Sequence, residues 1–136
     1  MNHRQQKGLD LAIKIARKAQ HDSTSHLGAI LMHGSNVISI GQNYTRKTHT
    51  KSPHPFKTIH AEVDCLLGNT MPEMAGAALF VARVGFTNRC QILLAKPCIW
   101  CQSYIIRTGV RWVYYTINET NVGLWNVGRN EWSEVI

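Results

Sequence analysis

Apolar positions recur with a helical period near the start of the chain. Over residues 5–20 they fall at Leu9, Ala12, Ile13, Ala16 and Ala19, one stripe of a helix, with Lys14, Arg17 and Lys18 off that stripe or at its edge. The pattern then changes. His26-Leu27-Gly28-Ala29-Ile30-Leu31-Met32 is a short apolar run that reads as a buried strand, His33-Gly34-Ser35-Asn36 as a turn, and Val37-Ile38-Ser39-Ile40 as a returning strand, which predicts an antiparallel hairpin. Residues 45–58 are polar and basic and carry Pro53 and Pro55; they read as a long loop, and loops of that length without structure of their own are usually functional or disordered. Beyond it the pattern predicts a helix over 60–67 ended by Gly68-Asn69, a strand over 77–84, a helix over 98–108 closed by Gly109, and a strand over 110–116. From Asn118 the chain is rich in Asn, Gly and Trp and shows no clear period, with one further strand predicted near 123–127. A hairpin followed by alternating helices and strands predicts an α/β fold, a three-layer α-β-α sandwich around a mixed sheet of about five strands.

Length and composition narrow the class. At 136 residues, with no repeat, low-complexity tract or linker, the chain reads as a single domain over 1–136, large enough for a core. No run approaches the roughly 18 unbroken apolar residues of a transmembrane helix, and the basic start has no apolar stretch behind it long enough for a signal peptide, so no membrane partner and a cytoplasmic location are expected. The net charge of +7 fits an anionic partner, a nucleotide or a nucleic acid, and equally fits solubility.

Two short motifs carry the chemistry. His60-Ala61-Glu62 and Pro97-Cys98-Ile99-Trp100-Cys101 together offer one imidazole and two thiolates, and a tetrahedral zinc with three protein ligands keeps its fourth position for water. Glu62, two residues past His60, can move a proton to and from that water. Each motif opens a predicted helix. The positive end of a helix favours the thiolate forms of Cys98 and Cys101, which stand three residues apart on one face. Pro97 suits the start of a helix. Two other readings compete. Cys98 and Cys101 could form a redox pair, which leaves His60 and Glu62 without a role; or the zinc could be purely structural, closed by His49, His54 or Cys90 as a fourth ligand, which leaves Glu62 unexplained. Cys65 and Cys90 read as plain thiols, and His3, His21, His26 and His33 as surface or turn residues.

The order His-x-Glu then Pro-Cys-x-x-Cys resembles the zinc-dependent cytidine and deoxycytidylate deaminase superfamily, in element order as well as in motifs, from the hairpin at Leu27 to the strand ending at Tyr115. Gly41-Gln42-Asn43 is similar to the family's Gly-x-Asn, and Gly109-Val110-Arg111-Trp112-Val113-Tyr114-Tyr115 to its Gly-Ile/Val-x-x-Val-x-Tyr strand, most like deoxycytidylate deaminases. The resemblance implies a cytidine deaminase-like fold, a zinc cofactor on His60, Cys98 and Cys101, and Glu62 as the proton shuttle. It also implies a backbone N–H of Ala61 orienting the base, Asn43 at the sugar, a substrate role for Tyr115, and a homo-oligomer. On the residues alone, Asn43 is a turn residue and Tyr115 a core aromatic. The family's geometry places the basic residues Arg46, Lys47, Lys51 and Lys57 at the mouth of the site, with Arg46 and Lys47 as contacts to a substrate phosphate; otherwise they form a solvated loop. The chain departs from the family after Asn43, where a basic segment replaces a short Pro- and Gly-containing loop. It also lacks the second metal-ligand set and the long C-terminal helix of several relatives.

The expected activity is hydrolytic deamination of a cytosine nucleotide, deoxycytidylate first. The alternatives are deamination of tRNA adenosine or single-stranded nucleic acid, for which the short stretch after Tyr115 offers little surface, and a zinc-stabilised binding module without turnover.

Overall fold

The computed structural model describes residues 1–18, 26–45, 58–85 and 87–135. The first helix, α1 (His3–Lys18), starts two residues earlier than its apolar stripe predicts. The cause is local: Asn2 Oδ1 accepts from the Gln5 amide at 2.9 Å and Gln5 Oε1 accepts from the Asn2 amide at 3.0 Å, a reciprocal cap that satisfies amides of the first turn. The hairpin forms as β1 (His26–His33) and β2 (Asn36–Gln42), paired antiparallel from Gly28 with Gln42 to His33 with Asn36, with a register shift between Leu31 and Met32.

Two short strands, β3 (Tyr44–Thr45) and β4 (Thr58–Ile59), pair with each other and bracket the predicted loop, whose residues 46–57 lie outside the described residues. Then come α2 (Ala61–Leu66), a one-turn α3 (Met71–Met74), β5 (Ala78–Val84), β6 (Ile92–Leu93), α4 (Ile99–Thr108), β7 (Trp112–Thr116), β8 (Val122–Asn126) and β9 (Glu131–Val135). Gly109, at φ 85°, closes α4 in the left-handed conformation, as the sequence pattern predicts.

The main sheet has the order β2-β1-β5-β7-β8-β9, with β6 also paired to β5. It is mixed, since β5 and β7 are parallel and the other pairs antiparallel. It has seven strands where about five were expected; β6 and β9 are the additions. Neither carries a strand period of its own. β6 is two residues long, and β9 (Glu-Trp-Ser-Glu-Val) shows only partial burial, so both exist through the ladder hydrogen bonds of their neighbours.

Side-chain alternation along the strands separates two cores and so produces three layers. Ala29 and Leu31 of β1, Leu79 and Val81 of β5, and Val113 and Tyr115 of β7 bury with Ala61, Val63, Cys65 and Leu66 of α2 and Cys101 and Ile105 of α4. Their sequence neighbours Ile30, Met32, Phe80, Ala82 and Tyr114 point the other way, onto Leu9 and Ala12 of α1. Phe80 and Tyr114 stack there with centroids 5.1 Å apart, and Tyr114 Oη accepts from Gln5 Nε2 at 2.8 Å. At the far edge Trp125 of β8 is fully buried, stacks on Trp132 of β9 at 4.6 Å and 4°, and donates from Nε1 to Asn130 Oδ1 at 3.0 Å. Among the described residues no helix is long and apolar enough to cross a membrane.

Candidate metal centre

Both metal motifs lie at the N-termini of helices on the same face of the sheet. His60 is the N-cap of α2 and Cys98 the N-cap of α4, each with extended backbone and neither with a side-chain capping hydrogen bond. Helix N-caps ordinarily carry Ser, Thr, Asp or Asn, whose oxygens bond the first amides; here that position holds a soft nitrogen or sulfur donor that does no capping. The sequence reading began both helices one residue too early, at the caps themselves.

Helix α2 is tied to β2 along its length. The Gln42 amide donates to Asp64 Oδ2 at 3.0 Å, Ser39 Oγ donates to the Cys65 carbonyl at 2.7 Å, and Asn69 Nδ2 donates to Ser39 Oγ at 2.9 Å. The approach is close because position 41 has no side chain. A Cβ on Gly41 would overlap the Cys65 amide nitrogen and fall 2.5 Å from the Ala61 carbonyl oxygen. The β3–β4 ladder fixes the entry to the helix: Tyr44, which follows Asn43, pairs with Ile59, which precedes His60. For α4, Gln102 Nε2 donates back to the Pro97 carbonyl at 2.8 Å.

The ligand atoms converge. His60 Nδ1 lies 3.5 Å from Cys98 Sγ and 3.4 Å from Cys101 Sγ, and all three donor atoms lie within 4.8 Å of one another. A tetrahedral zinc with Zn–S of about 2.3 Å and Zn–N of about 2.0 Å has S···N edges of about 3.5 Å. Donor set and spacing therefore both fit zinc. Among the described residues the cluster is these three alone; Cys90 is exposed and apart from it, and His49 and His54 lie outside the described residues.

The electrostatics are those of a buried site. The hydrogen bond with Cys98, then burial, pushes the Cys101 thiol above the ordinary thiol range, and a bound divalent cation would favour the thiolate instead. Burial disfavours charge on His60, but its hydrogen bond to Cys98 and the charge of Glu62 prevail and raise it. Glu62, in the first turn of α2, is 2 % exposed, and burial raises its carboxyl above the usual range against the hydrogen bonds and imidazole charge that lower it. Its Oε1 is buried without a hydrogen-bond partner among the described residues.

The other candidates are placed as follows. Ala61 is fully buried as the first residue of α2. Asn43 is buried and its Oδ1 accepts from the Leu27 amide at 2.9 Å. Tyr115 is buried on the metal face and sits edge-on to Trp132 at 5.9 Å, over Gly123, where a Cβ would overlap its ring. Arg46, Lys47, Lys51 and Lys57 lie outside the described residues. Cys65 is a core thiol pushed up to about 12, chiefly by burial. His33 is an exposed residue at the end of β1, whereas His26 is buried in β1, not on the surface or in a turn as its sequence reading had it.

The sequence signature of the cytidine and deoxycytidylate deaminase zinc-binding region matches residues 2–117, which includes every residue of the metal cluster. The chain belongs to that deaminase family. Zinc is accordingly the metal of the centre. Cytidine deaminase from Burkholderia pseudomallei shares the fold with a TM-score of 0.64 at 20% identity, over 95% of each chain. The apo dCMP deaminase of cyanophage S-TIM5 does so at 0.58 and 22%, over 88% of each chain, and the same enzyme is known in complex with dCMP and dUMP. RibD of Acinetobacter baumannii aligns at 0.55 and 18%, over 84% of this chain, which spans only 28% of that one. No curated protein sequence matches significantly. The matched region ends at Ile117, so the β8–β9 hairpin, which extends the sheet, lies beyond it.

Proposed function

We propose that the chain is a hydrolase that deaminates a cytosine nucleotide, deoxycytidylate in first place, to the uracil nucleotide and ammonia. The observation that carries the reading is the buried Glu62, with an unpartnered Oε1, beside a three-ligand cluster spaced for zinc. In a structural zinc site that carboxylate would be a liability; in a deaminase it has a task. His60 Nδ1, Cys98 Sγ and Cys101 Sγ hold the metal, which when bound lowers the pKa of water toward about 7. Glu62 takes one proton from the water as its oxygen adds to the carbon bearing the exocyclic amine and gives it to the ring nitrogen; it then takes the second proton from the hydroxyl so formed and gives it to the amine, which leaves as ammonia while the carbonyl forms. The Ala61 amide, at the N-terminus of α2, faces the base carbonyl, and Asn43 meets the sugar. Tyr115 walls the pocket from the sheet. Arg46 and Lys47 are kept as phosphate contacts.

The whole of 1–136 acts as one catalytic domain in this reading. Assembly as a homo-oligomer is supported by the outward side of α4, where Ile99, Trp100 and Ile106 are exposed; a helix apolar on both sides belongs in an interface. The net charge of +7 favours, as a second reading, a polynucleotide substrate, for which binding would weaken steeply with salt.

The deciding experiment is a panel of cytidine, deoxycytidine, CMP, dCMP, adenosine nucleotides and a cytosine-containing single strand, with zinc-loaded protein, followed by ultraviolet absorbance and ammonia release. Turnover highest on dCMP supports the proposal. Turnover confined to the single strand or to adenine transfers it to the second reading, and no turnover with full zinc leaves a binding module.

A further inference from the structure

We propose that Arg83 anchors a phosphate group of the ligand at the metal face of the sheet, an inference that rests on the deaminase reading above. Three observations place Arg83 there. The first is parity. On β5, Leu79 and Val81 bury with Ala61 and Cys101, while Phe80 and Ala82 face α1. Pairing with β1 runs unbroken from Ala78 with Met32 to Val84 with His26, so Arg83 continues the metal-facing row. The second is position along the sheet. Arg83 pairs with Leu27, whose amide bonds Asn43 Oδ1, and Asn43 and His60 are the chain neighbours of the paired Tyr44 and Ile59. Arg83, Leu27 and Asn43 thus form one line across the strands, with His60 one residue beyond the Tyr44–Ile59 pair that follows Asn43. Arg83 stands two strands from Asn43, roughly 10 Å at ordinary strand spacing, which is the scale of one nucleotide.

The third observation is chemical. The Nε of Arg83 is buried and has no hydrogen-bond partner among the described residues, with Leu27 and Leu93 as its neighbours across the ladder. A guanidinium N–H withdrawn from water without a partner is unfavourable. The neighbouring groups of the same region are already engaged: Lys96 lies over the Trp132 ring at 4.5 Å, and Glu119 accepts from the Ile92 amide at 3.3 Å, on the α1 side, where Ile92 buries with Ala16 and Val84. What remains is a planar donor fork, partly desolvated, in line with the proposed sugar contact. That fork matches a phosphate bidentately.

The test uses binding of the product class, so that it does not depend on turnover. Calorimetry of zinc-loaded wild type, Arg83→Gln and Arg83→Lys with dUMP and with deoxyuridine should show dUMP weakened about 10- to 100-fold by Arg83→Gln, with deoxyuridine changed less than about 2-fold on the same scale and Arg83→Lys in between, since it keeps the charge and loses the fork. Equal weakening of both ligands, or of neither, overturns the proposal. If wild type binds no uracil nucleotide, the deaminase reading has failed and the site is read with inorganic phosphate at constant ionic strength. Thermal stabilisation of wild type but not of Arg83→Gln then upholds the anion site, and the same response in both proteins overturns it. A phosphodiester presents the same chemistry, so a short deoxyuridine-containing single strand is run beside dUMP; an Arg83-dependent preference for either upholds the site and identifies its source. Zinc content and the melting temperature of each variant separate loss of the site from loss of the fold.

Discussion

Gly41→Ala tests whether the close seat of α2 on β2 is what holds the metal site together. The added Cβ would overlap the Cys65 amide and sit 2.5 Å from the Ala61 carbonyl, where ordinary contact begins at 3.4 Å, and both obstacles are backbone atoms. No side-chain rotation relieves that overlap, so α2 must retreat by roughly 1 Å, an overpacking strain of about 1–3 kcal/mol. For a chain of this size the melting temperature should fall by about 3–10 °C. The helix carries His60 at its cap. A retreat of that size along the S···N directions opens edges of 3.4 and 3.5 Å to about 4.4 Å, beyond the roughly 3.5 Å that one zinc spans. Zinc affinity should drop about 10- to 100-fold, the usual consequence of disturbing the support of a metal ligand. Competition with a chromophoric chelator measures that affinity and a thermal scan the stability. Gly128→Ala is the control, since its nearest obstacle is Asn126 Oδ1 at 3.8 Å. Wild-type zinc affinity in Gly41→Ala would refute the reasoning, whatever happened to stability.

Three further outcomes are expected. Glu62→Gln should keep its zinc and lose about 10²–10⁴-fold in turnover; a variant with full metal and more than about a tenth of the wild-type rate would remove Glu62 from the mechanism. Cys98→Ser and Cys101→Ser should each lose zinc and, because metal binding joins α2 to α4, part of the folding stability as well; a full zinc complement by elemental analysis in both would sink the ligand assignment. Trp125→Ala empties a fully buried site and deletes both the 4.6 Å stack and the Asn130 hydrogen bond, so urea unfolding should show a loss of about 3–5 kcal/mol, with zinc stoichiometry retained; a loss below about 1 kcal/mol would mean that the cavity collapses at no strain and the Trp pair is not an anchor.

Much of the site was legible because its chemistry is written in residue types at short spacing. Imidazole and thiolates are the donors zinc selects, and a carboxylate two residues from a ligand is close to it in any local conformation, so His60, Glu62, Cys98 and Cys101 stood out before any tertiary contact was known. The longer elements were legible for a similar reason: the stripe of α1 and the apolar run of β1 have a period that one stretch of chain carries by itself. Some local signals were present and passed over. Thr70 and Glu73 form a reciprocal cap with Pro72 between them, a pattern readable in the sequence as the start of α3.

What only the tertiary structure decided are the pairings between distant segments. Strand β6 is too short and β9 too little buried to announce themselves, and both exist because a neighbour offers an open row of hydrogen bonds. Gly41 reads in sequence as part of a turn-like Gly-Gln-Asn, yet its function is to let a helix two dozen residues later rest on bare backbone. Arg83 reads as one polar residue in an apolar strand; the register from β5 through β1 puts it in line with Leu27 and, through the Leu27 amide, with Asn43. Residue chemistry and local period act within a few positions and are fixed by the sequence itself, whereas register depends on which strands meet, and that is settled by the packing of the whole sheet.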